Sequence, residues 1–254
     1  MLEVRHLTKR FSRIPAVDDV SFVVRPFEVL GYLGPNGSGK TTTVNMLTGL
    51  LDPSEGEILF DGHKIADDLI GYKRRLGYVP EIPYLYAYLS GLEYLQLAGR
   101  LRAMPDRLMN EKIDSLLQLF SLHQARHSQL TSYSKGMKQK ILISAAILHN
   151  PDLLIFDEPL SGLDVTSALV FKHLVKVLAA EGKIILYSSH VLEVVEKVCT
   201  HVMILRKGKV VAHDSVEGLR TLANLPSLED IFAQLVLQED TEQTARTIVQ
   251  VMRA

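Results

Sequence analysis

Hydrophobic and polar positions divide this chain into short apolar runs and longer stretches of helical spacing. Val29 to Leu33 is an apolar run that passes directly into the glycine-rich segment Gly34 to Gly39. Thr41 to Leu51 then reads as a helix, closed by the turn Asp52-Pro53-Ser54-Glu55-Gly56. Leu153 to Phe156 is apolar at every position, as a strand covered on both faces of a parallel sheet must be. Ile184 to Tyr187 has the same character. Between Asp164 and Ala180, Leu169, Val170, Leu174, Val177 and Leu178 recur at helical spacing, and Gly182 supplies the stop. Val202 to Leu205, Lys207-Gly208 and Lys209 to Ala212 predict a hairpin.

The regions between these elements differ in kind. Leu2 to Arg5, Ser21 to Val24 and Glu57 to Phe60 predict strands of a separate antiparallel layer. Roughly Leu89 to Asn150 is rich in Leu, Gln and Lys and lacks strand signals. It predicts a helical insertion, a subdomain spanning about residues 86–150 of a main domain at 1–222. Residues 223–254 predict a helical tail, in which Ile231, Phe232 and Leu235 share one face from Leu228 onward. Packing of that face on its own domain is the simpler reading, and a dimer or partner contact is the alternative.

Composition narrows the class. At 254 residues with 47% hydrophobic content, the chain can bury a sizeable core. Lys plus Arg number 28 and Asp plus Glu 29, a net charge of -1, so no broad basic field points to nucleic acid as a partner. Cys199 is the only cysteine, which suits a reducing compartment. The first residues lack the apolar core of a signal peptide. No apolar run approaches the roughly 20 residues of a membrane-spanning helix, so any work at a membrane would be peripheral.

Three motifs carry chemistry. The first is Gly34-Pro35-Asn36-Gly37-Ser38-Gly39-Lys40-Thr41, followed by Thr42. Its glycines let successive backbone N–H groups turn toward a phosphate, and the helix beyond adds its positive end. Lys40 offers a cation to the β- and γ-phosphates of a nucleotide, and the Thr41 hydroxyl a ligand to Mg²⁺. The second is Leu153-Leu154-Ile155-Phe156-Asp157-Glu158, a buried strand that delivers two carboxylates to the carboxyl edge of a sheet. Asp157 there suits Mg²⁺, and Glu158 suits a general base that orients water. The third is Tyr133-Ser134-Lys135-Gly136-Met137-Lys138-Gln139. Taken by itself, it is a helix N-cap at Ser134 followed by a stripe of Met137, Ile141, Ala145 and Leu148.

These motifs, with Ser161-Gly162-Leu163-Asp164 and Ser188-Ser189-His190, resemble ABC ATPases in order and approximate spacing, over about Leu2 to Leu219. The resemblance implies an α/β P-loop ABC ATPase fold with an antiparallel β layer and an inserted helical subdomain. It implies ATP and Mg²⁺ as cofactors. Phe11 matches the aromatic that stacks on adenine. Ser134 and Gly136 match the signature positions that touch the γ-phosphate of ATP held by the opposite subunit. Asp164 matches the loop that crosses the dimer interface, and His190 the switch histidine at the γ-phosphate. Tyr133, Lys135 and Met137 depart from the usual Leu-Ser-Gly-Gly-Gln signature, in a form similar to ATPases paired with exporter-type membrane subunits. Glu81 stands where most of the family has a glutamine that reaches Mg²⁺ and the membrane partner. The resemblance therefore implies a homodimer or heterodimer of such chains that drives transport, in the export direction, through a separate transmembrane permease at the cytoplasmic face of the membrane. The alternative is a soluble, non-transport ABC ATPase with a regulatory or nucleic-acid-linked role.

Two further features are read more simply. His123 and His127 are one helical turn apart, but no third ligand stands nearby, so a solvated helix face is expected. Tyr84, Tyr86, Tyr88 and Tyr94 follow Glu81 and are open to either core packing or partner docking.

Overall fold

The computed structural model describes residues 1–223, 225, 227–236 and 251–252. The chain opens with an antiparallel pair, β1 (Leu2–Arg10) and β2 (Pro15–Val24), before β3 (Val29–Leu33) leads through the glycine loop into α1 (Lys40–Leu47). Then come β4 (Glu55–Phe60), the two-residue β5 (His63–Lys64), α2 (Leu69–Arg74) and β6 (Leu76–Val79). Three helices follow, α3 (Gly91–Leu101), α4 (Asp106–Leu119) and α5 (Lys135–Ile147). The chain returns with β7 (Leu153–Asp157), α6 (Val165–Ala180), β8 (Ile184–Ser188), α7 (Leu192–Val198) and the hairpin β9 (His201–Arg206)–β10 (Lys209–Ser215). Helices α8 (Val216–Ala223) and α9 (Leu228–Val236) come after the hairpin.

These strands form two sheets. One is antiparallel, in the order β2-β1-β4-β5, and the other has the order β10-β9-β3-β8-β7-β6. In the second, all pairings are parallel except that of β10 with β9. Because β9, β3, β8, β7 and β6 run parallel, the segments after β3, β6, β7 and β8 all emerge at one edge. The register places Asp157 beside Ser188, and Ser188 beside Tyr32. This edge is where ligands of open parallel sheets bind.

Alternation along the central strands explains the layering. Leu153 and Ile155 of β7, with Leu30, Tyr32 and Leu186, face the antiparallel sheet and pack with Leu2, Val4, Phe22 and Phe60. Leu154 and Phe156, with Leu33, Ile185 and Tyr187, face α5, α6 and α7. Phe156 and Phe171 meet edge to face at 5.0 Å. A third core, built on Leu95, Met109, Ile113, Leu117 and Ile141, holds the helical insertion together. Helix α5 belongs to both bodies, since Ile141 and Leu148 enter this core while Leu142, Ile143 and Ala146 enter that of the sheet.

Several boundaries differ from the sequence reading. Helix α1 stops at Leu47 rather than Leu51, because the chain turns through Gly49 at φ 63°. Strand β1 continues past Arg5 to Arg10 by way of His6 at φ 50°, where the pairing slips and the alternation that marks a strand is lost. The face of α9 formed by Leu228 and Ile231 is buried, with Phe232 and Leu235 against the same core, so it packs on its own domain. Apart from residues 225, 227–236 and 251–252, the tail beyond Ala223 lies outside the described residues. Tyr94 packs on the helical core, whereas Tyr84, Tyr86 and Tyr88 are exposed. Arg126 donates to both His127 (3.1 Å) and His123 (2.9 Å), so these imidazoles serve an arginine.

Candidate functional site

The cleft at the carboxyl edge of the parallel sheet has a volume of about 380 Å³. Asn36, Gly37, Gly39, Lys40, Thr41 and Thr42 form its floor, Phe11 and Ala16 one wall, and Glu81, Asp157, Glu158 and His190 the other. The floor needs its glycines. A side chain at Gly34 (φ 158°) would strike Ser38 Oγ and the Leu205 carbonyl oxygen. At Gly39 (φ 104°) a Cβ would lie 2.5 Å from the carbonyl oxygen of Ala16. Gly37 (φ 76°) opens onto space. Gly39 is also the N-cap of α1, with no side-chain cap and no acid in the first turn. The positive end of that helix is therefore left to the cleft. Ser38 donates its backbone N–H to the Pro35 carbonyl oxygen at 3.1 Å and is buried, with its hydroxyl without a partner among the described residues.

Lys40 bridges the loop internally. Its Nζ donates to the carbonyl oxygens of Gly34 (2.6 Å) and Pro35 (3.2 Å). Burial lowers its pKa, and the carboxylates of Glu158, Asp157 and Glu81 pull it back up. Tyr32 steadies the base of α1 by donating from its hydroxyl to Thr43 Oγ1 at 3.1 Å.

The acidic wall is built from two strand ends. Asp157 is 3% exposed, and burial raises its carboxyl to about 6, with further upward pressure from Glu81 and Glu158 and relief from Lys40. Glu158 follows in the left-handed region at φ 47°, uncommon for a residue with a side chain. Its backbone N–H donates to Ser188 O at 2.9 Å. Glu158 Oε1 accepts from both the backbone N–H and Nδ1 of His190, each at 2.7 Å, and Oε2 accepts from Ser189 Oγ at 3.1 Å.

The donor set fits a polyphosphate accompanied by a divalent cation. Three carboxylates against one ammonium leave the cleft net negative, so an anion entering alone would meet repulsion. A hard cation held by carboxylate and hydroxyl oxygens removes it, and Thr41, Asp157 and Glu81 offer those oxygens here. Phe11 is 67% exposed at the mouth, with the Lys9 ammonium over its ring at 5.4 Å from the centroid, so it is no core contact.

Of the predicted residues, Gly34, Pro35 and Ser38 belong to the loop without lining the cleft, and three more lie outside loop and cleft alike. Ser134 is exposed and caps α5, accepting from Met137 N–H at 3.2 Å. Asp164 caps α6 through Ser167 N–H (2.9 Å) and pairs with Lys140 Nζ at 3.3 Å. Its hydrogen bonds from Ser167 and the charge of Lys140 hold its carboxyl well below the ordinary range. Gly136 lies against this same loop: a Cβ there would be 2.5 Å from Gly162 O. Ser134, Gly136 and Asp164 thus form a second patch on the same chain. Ser189, which reaches Glu158, went unassigned in the sequence because 31 residues separate the two.

Known proteins resemble this chain in sequence and in fold. The sequence model of the family described as ABC transporter matches residues 17–161. An uncharacterized ABC transporter ATP-binding protein of Bacillus subtilis, YxlF, is 40% identical over 210 residues, covering 83% of this chain and 69% of that protein. The ABC transporter ATP-binding protein NatA of the same organism is 35% identical over 237 residues, covering 91% and 96% respectively. A solved ATP-binding subunit of an ABC transporter superimposes with a TM-score of 0.88 at 34% identity, over 92% of this chain and 99% of that one. A dimeric ATP-binding cassette in a post-hydrolysis state with ADP and Pi shares the fold, at a TM-score of 0.77 and 24% identity over 85% of this chain and 98% of that one.

Proposed function

This chain belongs to the family of ABC transporter ATP-binding proteins, which are ATPases, and from that premise we propose that it powers export through a separate transmembrane permease, working as a head-to-tail dimer. The observation that carries the reading is the division of its functional residues between two patches. The cleft has the loop, the lysine and the carboxylates for Mg-ATP, while Ser134, Gly136 and Asp164 stand outside it. A second copy would bring its own Ser134 patch to the open side of the first copy's nucleotide.

In this reading Phe11 stacks on adenine. The backbone N–H groups of Gly37, Gly39, Lys40, Thr41 and Thr42 and the Lys40 ammonium take the phosphates. When bound, Mg²⁺ neutralises phosphate charge, and Thr41, Asp157 and Glu81 would hold it. Glu158 orients and polarises water as general base, and His190 bridges Glu158 and the γ-phosphate. ATP binding favours the closed dimer because only there does the nucleotide meet both chains, and hydrolysis removes that preference. The free energy difference between the two states is what the permease receives. Among the described residues no helix is long and apolar enough to cross a membrane. The reading itself sets the chain as a peripheral subunit at the cytoplasmic face, where the permease would meet it.

The test is co-purification from native membranes together with ATPase assays. Recovery with a multi-span membrane protein, and Mg²⁺-dependent hydrolysis that rises with dimer concentration, are expected. Recovery with ribosomes or DNA, or equal turnover by a strictly monomeric species, would overturn the reading.

A further inference from the structure

The Glu158 carboxylate is held by donors of two different kinds. The His190 ring, 76% exposed at its side chain, meets Oε1 from the solvent side. Ser189, 4% exposed, meets Oε2 from within the protein. The Ser189 hydroxyl has a single proton, and its oxygen already accepts the Val191 N–H at 3.2 Å. That contact occupies a lone pair and leaves the proton to point at Glu158. The backbone adds a third and a fourth restraint: His190 N–H on Oε1, and the Glu158 N–H on Ser188 O. These keep a glutamate at φ 47° in place.

Of the two side-chain restraints, the imidazole is the exposed one and can swing into solvent, whereas the Ser189 hydroxyl is enclosed. The proposed function has His190 bridge Glu158 and the γ-phosphate in the closed dimer, so the exposed ring must re-aim as nucleotide comes and goes, and the role of Ser189 rests on that reading. Whenever the ring shifts on Oε1 as it takes up or releases the phosphate, a carboxylate held at one oxygen only would rotate about its last bond and lose its aim at the water. With Ser189 on Oε2 and the His190 N–H on Oε1, the plane stays fixed. We propose that Ser189 is a positioning residue, the fixed half of a clamp that holds Glu158 in its working orientation while His190 serves as the movable half.

The experiment uses the full chain with Ser189→Ala and Ser189→Thr, assayed well below their melting temperatures. Ser189→Ala is expected to lower kcat about tenfold, in line with losing one hydrogen bond to a charged group. Equilibrium ATP affinity and KM should stay within about twofold of wild type. Ser189→Thr, which keeps the hydroxyl, should restore most of the rate. In a Glu158→Gln background, Ser189→Ala should lower the residual rate no further. Wild-type turnover of Ser189→Ala overturns the proposal. So does a lowered rate that threonine fails to restore, or one matched by an equal loss of ATP affinity, since these mark a bond that shapes the turn before α7 and nothing more. Wild-type turnover by Glu158→Gln itself would instead remove the underlying assignment of the base.

Discussion

Gln139 donates from its side-chain amide to the carbonyl oxygen of Pro159 at 2.9 Å, in a position where the glutamine is 1% exposed. Gln139 sits in the second turn of α5, five residues after Ser134, and Pro159 is the residue after Glu158. The bond therefore joins the helix of one patch to the strand end of the other. Lys140 with Asp164 and the close approach of Gly136 to Gly162 fasten the same helix to the far end of the loop. In the proposed head-to-tail dimer the two patches would serve different nucleotides, yet within one chain they are mechanically continuous.

Gln139→Leu should cost stability more than its change in volume suggests. The leucine fills similar space but leaves the Pro159 carbonyl buried without a donor, worth about 1–3 kcal/mol. Urea unfolding would register this as a lower midpoint at unchanged slope. A midpoint equal to wild type would mean that water or another donor replaces the amide.

Glu158→Gln should leave ATP binding intact and nearly stop hydrolysis, because the amide keeps the size of the side chain and loses the base. An ATP-bound dimer should then accumulate, visible by size-exclusion chromatography in ATP and Mg²⁺. Turnover at the wild-type rate would remove Glu158 from that role.

What could be read in the sequence was whatever is encoded locally. The glycine loop, its strand and its helix are contiguous, and the runs Leu153 to Phe156 and Ile184 to Tyr187 are apolar because both of their faces are covered. Features set by distant contacts were illegible. Strand β6 contains Gly77 because a side chain there would strike the Ala146 carbonyl oxygen, so its four residues lack a strand signature. Helix α2 has only six residues with Gly71 among them, too few to show a period. Helix α7 begins at Leu192 after Val191, which offers no capping side chain. Within the site, the cleft residues could be assigned by motif, yet the clamp on Glu158 depends on β7 lying beside β8, and pairing partners are not written in either strand alone.

Acid should loosen the joint between the helical insertion and the sheet through His149. This residue packs at the end of α5 with Nε2 at 3.0 Å from the Leu76 carbonyl oxygen, and its Nδ1 is buried without a partner among the described residues. Burial lowers its pKa from 6.5 to about 4, and the nearby cations Arg102 and Lys112 push in the same direction. The unfolded chain therefore takes up a proton near pH 6.5 that the folded chain refuses until about pH 4. Stability attributable to this group falls as pH drops through that window, and the loss is complete below it. His149→Gln should reduce the fall in urea midpoint between pH 7 and pH 5 relative to wild type. An unchanged fall would place the acid sensitivity elsewhere.

Ser134 offers the most direct test of the two-chain site. It lies apart from the cleft of its own chain, so Ser134→Arg should leave the affinity of the monomer for ATP near wild type. If Ser134 meets the partner's nucleotide, the bulky cation should weaken ATP-dependent dimerisation and hydrolysis together. If it only caps α5, the effect should be a stability loss of about 1 kcal/mol, with catalysis per folded molecule preserved. Mixing separates these outcomes further. A Lys40→Ala chain cannot hold its own phosphates but still presents an intact Ser134. In a heterodimer of the two variants, one composite site carries both lesions and the other carries neither. Recovery of ATPase activity on mixing is therefore expected, up to the rate that one site sustains alone. Lack of recovery in demonstrated heterodimers, with ATP bound at the intact site, would show that the sites turn over only together. Lack of recovery with that site empty would remove Ser134 from the partner's nucleotide altogether.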